Sequence, residues 1–168
     1  MTKMIKVEPT KVLAIYPCTR GFSYAVMESP LKLLELNLIS PKKFDKEKLL
    51  NAMKRIVEAH IPITLVLENC NSKYCRKGSR TKNLIQEISL WAMKKQIPVK
   101  FYSRDQVRNV FGRWKAYTKY EIAIVLSRNI PELQQYMYDK PKYPERDNNN
   151  SSLFSSISLA ITNYYAID

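Results

Sequence analysis

KVLAIYPCTRGF, residues 11–22, is a short apolar run that stops at a proline and turns back at a glycine. Two more runs follow it, SYAVMES at 23–29 and PLKLLELNLIS at 30–40. Gly21 and Pro30 punctuate the three, a pattern that predicts a meander of three strands. KFDKEKLLNAMKRIVEAH comes next, with Leu49, Met53, Ile56 and His60 at helical spacing. His60, the only histidine, ends that helix, and no second histidine supports a metal-ligand role for it.

Farther on, IPITLVLEN at 61–69 is a continuous β-branched and leucine run. Such runs suit a central strand covered on both faces. A basic loop follows, NSKYCRKGSR, then a helical TKNLIQEISLWAMKKQ and a further strand, IPVKFYS. Ser103 with Gln106, and Thr118 with Glu121, have capping-box spacing, so each pair marks a helix start. The segment 138–152 is rich in Pro and Asn and reads as a flexible surface loop. The closing LFSSISLAITNYY puts Phe154, Ile157, Ala160, Ile161 and Tyr164 on one helical stripe. The order β-β-β-α-β-α-β-α-α-α fits one α/β domain over 1–168. Its sheet is mixed and five-stranded, three strands antiparallel and two parallel, with helices on both faces.

Composition narrows the function classes. The 168 residues carry 28 Lys and Arg against 15 Asp and Glu, a net charge of +13. That excess points to a polyanion, nucleic acid before membrane, because no basic amphipathic anchor helix stands out. No apolar stretch is long enough to span a bilayer, and the first residues lack the apolar core of a secretory signal. A cytoplasmic location is the expectation. Three cysteines, Cys18, Cys70 and Cys75, are an odd number for a disulfide framework.

The chain resembles the RNase H-like superfamily, in particular RuvC-type Holliday junction resolvases and their small bacterial relatives. In that family the first strand ends in a motif like I-D-P-S/G-T-R-G-F/Y-A, and here the stretch is IYPCTRGFSYAV. The family's central strand ends in glutamate, matched by Glu68 in LVLEN. YSRDQVRNVF and TKYEIA are similar to its V-x-x-x-F and T-K-x-x-I-A stretches, and FSSISLAI to the F-D-A-x-A-L-A of its last helix. The resemblance covers nearly the whole chain and implies an RNase H-like fold.

It also implies a site in which carboxylates hold two divalent metals about 4 Å apart for phosphodiester cleavage. Residue by residue, the strand-1 aspartate falls on Tyr16 and the central glutamate on Glu68. The accessory acid falls on Cys70 and the last-helix aspartate on Ser155, with Ser152 one turn earlier. Glu68 is thus the only family carboxylate kept. A protonated tyrosine, with its pKa of about 10, cannot bridge two metals. No cofactor is therefore expected, and magnesium or manganese only if Glu145 or Asp147 rearranged to complete a site. A buried tyrosine at position 16 needs a hydrogen-bond partner, and Glu68 is the one this resemblance offers. Cys18 and Cys70 each lie two residues past a family carboxylate position. They are read as small buried side chains, with a disulfide or a soft-metal pair as alternatives.

Two clusters combine charge with aromatic faces. Lys73, Tyr74, Arg76, Lys77, Arg80 and Lys82 follow Glu68, and Arg104, Arg108, Arg113 and Lys115 accompany Phe111 and Trp114. Both are candidate nucleic-acid contacts, although Phe111 also reads as core. The expected function is nucleic-acid binding, DNA foremost, by a catalytically impaired RuvC-like protein. The alternatives are an active endonuclease with a rearranged carboxylate site and an interaction protein that keeps only the fold. The resemblance further implies a homodimer, because such resolvases act as dimers on two-fold symmetric junctions.

Overall fold

A computed structural model of the chain describes residues 11–71, 75, 77–142 and 149–166. The three opening runs form β1 (Val12–Pro17), β2 (Phe22–Ser29) and β3 (Lys32–Ile39). They are followed by α1 (Lys46–His60), β4 (Thr64–Glu68), α2 (Ser79–Lys94) and β5 (Val99–Tyr102). The chain closes with α3 (Arg104–Gly112), α4 (Lys119–Asn129), a 3-10 helix (Pro131–Tyr136) and α5 (Asn149–Tyr165). The sheet is five-stranded in the order β3-β2-β1-β4-β5. β1 to β3 are antiparallel neighbours, and β4 and β5 run parallel to β1. The α/β class and the mixed sheet are as the sequence predicts.

The pleat sorts the core into two layers. Val12, Ala14 and Tyr16 of β1 join Val66 of β4 on the face covered by α3, α4 and α5. Leu13 and Ile15 join Leu65 and Leu67 on the opposite face, under α1 and α2. Every β1 residue is buried, as expected of a strand with helices on both sides. Gly21 is needed where β1 turns into β2. A Cβ there would lie 1.8 Å from the carbonyl oxygen of Ile39, so only glycine lets the turn pass the end of β3.

Caps begin the helices where expected. Asp45 accepts from the Lys48 amide at the start of α1, and complete capping boxes join Ser103 to Gln106 and Thr118 to Glu121. α1 buries Leu49, Met53 and Val57; Ile56 stands at the edge of that stripe. The run continuing through Leu133 splits in two. Ile130, ahead of Pro131, is extended (φ −123°, ψ 95°), and the proline opens a separate 3-10 turn.

α5 departs most from the reading. It begins at Asn149, inside the segment read as the 138–152 loop, and is buried all round from Ser151 to Ile161 instead of along one stripe. It lies between the sheet, touching β1, β2 and β4, and the outer helices α3 and α4. Serines tolerate that position because they are small and satisfy themselves. Ser155, Ser156 and Ser158 donate to the carbonyls of Ser151, Leu153 and Ser155 at 3.1, 2.7 and 2.7 Å. Ser23 Oγ donates to the Ser152 carbonyl at 2.6 Å, tying α5 to β2.

His60 ends α1, as expected, and pairs with the Glu35 carboxylate. Tyr24 donates to the other Glu35 oxygen at 2.8 Å. Burial, then the Glu35 partner, push the Tyr24 pKa up to about 12.

Candidate functional site

The register of β1 against β4 pairs Val12 with Thr64 and Ala14 with Val66. Two residues farther along each strand stand Tyr16 and Glu68, on the same face, at the carboxyl ends of neighbouring strands. In open parallel sheets such strand ends are where sites form. Tyr16 is 6% exposed, so its ring fills the strand end rather than turning out to solvent.

The group that meets them is Lys77, from the loop ahead of α2. Its Nζ donates to the carbonyl of Pro17 at 2.6 Å, lies 3.3 Å from Glu68 Oε2 and stands 3.7 Å from the centroid of the Tyr16 ring. The side chains of Lys77 and Glu68 are only 13% and 14% exposed. Burial alone would depress the Lys77 pKa. The Tyr16 phenol group and the Glu68 carboxylate outweigh it and hold the ammonium above the ordinary lysine value. The resemblance predicts a bond from the Tyr16 hydroxyl to Glu68. Instead that hydroxyl accepts from Lys119 Nζ at 3.1 Å, and the Lys77 ammonium stands beside the carboxylate.

Around this centre the other carried-over positions are neutral. Ser155 is buried on α5, its hydroxyl spent on the Ser151 carbonyl. Cys70 lies half-buried past the end of β4, packed toward the α1 and α2 layer. Cys18, Cys70 and Cys75 form no disulfide among the described residues, and the cysteine that Cys70 meets is Cys75, not Cys18 as the alternative pairing had it. Burial, the Cys75 thiol and the Glu68 charge push the Cys70 thiol well above its usual range.

The basic residues sort into three groups. Lys77 is withdrawn into the strand-end site, so it is no free loop cation. Arg80 donates to the Thr19 carbonyl at 2.7 Å and stacks 4.3 Å from the Phe44 ring. Lys82 is exposed, beside a groove of about 680 Å3 that runs from Glu68 and Asn69 along α2 to Leu90. Lys73, Tyr74 and Arg76 lie outside the described residues, as do Glu145 and Asp147.

In the second cluster Phe111 is core, 1% exposed. Arg113 and Lys115 are exposed, and the Arg113 guanidinium lies 4.8 Å from the Tyr165 ring and 5.6 Å from Trp114. Trp114 is itself 40% exposed. Arg104 and Arg108 are half-buried, and Arg108 reaches Asp105 at 4.0 Å. Sequence reading missed Lys119 and Cys75 as site residues. Lys119 was visible only as the second letter of the T-K-x-x-I-A stretch.

No protein-family model and no curated protein sequence matches the chain. Solved structures do. The RuvC structure of Thermus thermophilus superposes with a TM-score of 0.65 over 92% of this chain and 93% of that one, at 14% identity. The fold is RuvC-like. The same RuvC in complex with its Holliday junction substrate matches with a TM-score of 0.62, at 14% identity and 92% coverage of both chains. The yeast mitochondrial Holliday junction resolvase Ydc2 matches at 0.57 and 10% identity, over 94% of this chain and 82% of that one. The RuvC-like fold therefore extends over nearly the full length, with no helix among the described residues long and apolar enough to cross a membrane.

Proposed function

We propose that this chain is a RuvC-like protein that binds nucleic acid, branched DNA foremost, without metal-dependent cleavage. One observation carries the reading: the Lys77 ammonium lies 3.3 Å from Glu68 Oε2 and 3.7 Å from the Tyr16 ring. A pair of hard dications needs several carboxylate oxygens. Among the described residues the donor set is one carboxylate, a tyrosine and a serine. That carboxylate already faces a fixed cation, and no second carboxylate among the described residues offsets the four positive charges of a metal pair. The residues do not fit a magnesium pair. In place of an exchangeable metal, the lysine neutralises Glu68 and ties β1, β4 and the loop before α2 together.

The binding half of the proposal rests on charge and placement. The net charge of +13 attracts phosphates, and Lys82, Arg113 and Lys115 are exposed cations, the last two beside an exposed tryptophan. Lys73, Tyr74 and Arg76 belong to the same proposed surface by sequence. A RuvC of the same fold is seen with a Holliday junction substrate. Two copies of the chain suit the two-fold symmetry of such a junction.

The test is a four-way junction incubated with the protein in magnesium and in manganese, alongside binding measured across a salt series. We expect salt-sensitive binding with the junction intact. Cleavage that depends on Glu68 would overturn the dead-site reading. Binding that ignores salt, or no binding, would overturn the nucleic-acid reading.

A further inference from the structure

Glu68, Cys70 and Cys75 place a carboxylate oxygen and two sulfurs within 4.8 Å of one another, the one such group of metal-ligating side chains among the described residues. We propose that this cluster is a binding site for a single thiophilic dication of the zinc type, separate in chemistry from the magnesium pair that the fold's strand ends do not support. Zinc takes thiolate at about 2.3 Å and carboxylate oxygen at about 2.0–2.2 Å in a tetrahedron. Ligand atoms 4.8 Å apart or less need only a small closure to reach such a centre. The sequence spacing agrees. Cys70 and Cys75 form a C-x4-C pair, within the two-to-four-residue spacing common in zinc sites, and Glu68 stands two residues ahead of it.

Two thiolates and one carboxylate exceed a dication by one negative charge, and the Lys77 ammonium beside Glu68 brings the site to neutrality. Three protein ligands leave the fourth position to solvent. Metal entry displaces two thiol protons to bulk water, and metal–sulfur bonds replace the Cys70–Cys75 hydrogen bond. Bound metal would pin the end of β4 to the loop that carries Lys77 and so hold the ammonium in place.

The experiment titrates the full chain, kept reduced by a thiol-free phosphine, with cobalt(II) as the spectroscopic probe. We expect one equivalent to raise a thiolate-to-cobalt charge-transfer band that zinc abolishes and excess magnesium does not. Cys70→Ser and Cys75→Ser should each remove the band. Cys18→Ser should keep it. Glu68→Gln should weaken cobalt binding by at least the roughly 10–100-fold seen when outer-shell partners are lost. Calorimetry in two buffers of different ionisation enthalpy should report two protons released per metal. Absence of the band in wild-type protein with its thiols shown to be reduced would overturn the proposal, with no variant involved. So would a band that survives loss of both Cys70 and Cys75. Neither result bears on junction binding or cleavage, which are measured separately.

Discussion

Replacing Lys77 by methionine should cost the protein a large share of its stability. The substitution keeps most of the side-chain volume and deletes the charge. At 3.3 Å and an effective dielectric constant of about 20, the attraction between Nζ and Glu68 Oε2 is about 5 kcal/mol. The 2.6 Å hydrogen bond to the Pro17 carbonyl adds about 1.5–3 kcal/mol as a charged-donor bond, and the Tyr16 ring face about 2 kcal/mol. Against these stands a desolvation penalty of several kcal/mol for each buried ion. The pair as a whole is therefore near neutral. Breaking it is not, because the surviving charge keeps its penalty and loses its partner. With both side chains under 15% exposed, solvent screens little of this. The expected loss is about 3–5 kcal/mol, or roughly 6–20 °C in Tm for a domain of this size.

Urea unfolding at neutral pH measures it, and a double-mutant cycle assigns it. The ammonium's raised pKa keeps it charged at that pH. Glu68→Gln alone should cost less than Lys77→Met, since the ammonium retains the Pro17 carbonyl and the Tyr16 ring. The double variant should be far more stable than the summed single losses imply, with a coupling energy above about 2 kcal/mol. A coupling below about 0.5 kcal/mol would mean that Lys77 and Glu68 do not act as a pair, and the account of a cation fixed at the strand ends would fall with it.

Other outcomes follow from the same geometry. Replacing Lys82, Arg113 and Lys115 with alanine should flatten the salt dependence of DNA binding by about 0.9 for each phosphate no longer neutralised, measured by anisotropy from low to physiological salt. Lys77→Met should leave that slope unchanged, because its ammonium faces Glu68. Above pH 10 the folded protein holds the Tyr24 proton that the unfolded chain gives up, so stability should fall as pH rises from about 10 to about 12. Thermal melts of Tyr24→Phe should show a shallower fall across that window. Gly21→Ala should destabilise by about 1–3 kcal/mol, since its methyl would meet the Ile39 carbonyl at 1.8 Å and the backbone must move, and melting temperature reads this directly. Tyr16→Asp with Ser155→Asp should restore little manganese binding by calorimetry while Lys77 stays. Adding Lys77→Ala should raise affinity at least about tenfold, the equivalent of 1.4 kcal/mol.

The sheet was legible because its signals are local and agree with one another. Strand runs bounded by Gly21 and Pro30, a β-branched core strand at 64–68 and two capping boxes each fix one element. What failed depended on context that sequence does not carry. The stripe of α5 suggested a helix buried along one side, because period alone cannot tell a serine facing water from one returning its hydroxyl to its own backbone. The short helix at Pro131 was hidden by the apolar continuity from Ile122 to Leu133. Cys75 could not be matched with Cys70, because the resemblance puts an acid at position 70 and says nothing of position 75.

Lys77 shows why the site was harder to read than the fold. In sequence it is one cation among several in a loop, and composition assigns all of them to phosphate. Ahead of α2, Lys77 reaches the ends of β1 and β4 and meets the Glu68 carboxylate there. A buried Glu68 without any cation would be costly, so the strand ends demand a positive charge of the protein's own. Lysine suits the role better than arginine there. Its compact ammonium on a flexible stem can take a carbonyl, a carboxylate and a ring face at once, whereas a planar guanidinium needs a wider gap. One loop cation thus serves as a fixed strut at the strand ends, held by the Pro17 carbonyl, the Glu68 carboxylate and the Tyr16 ring.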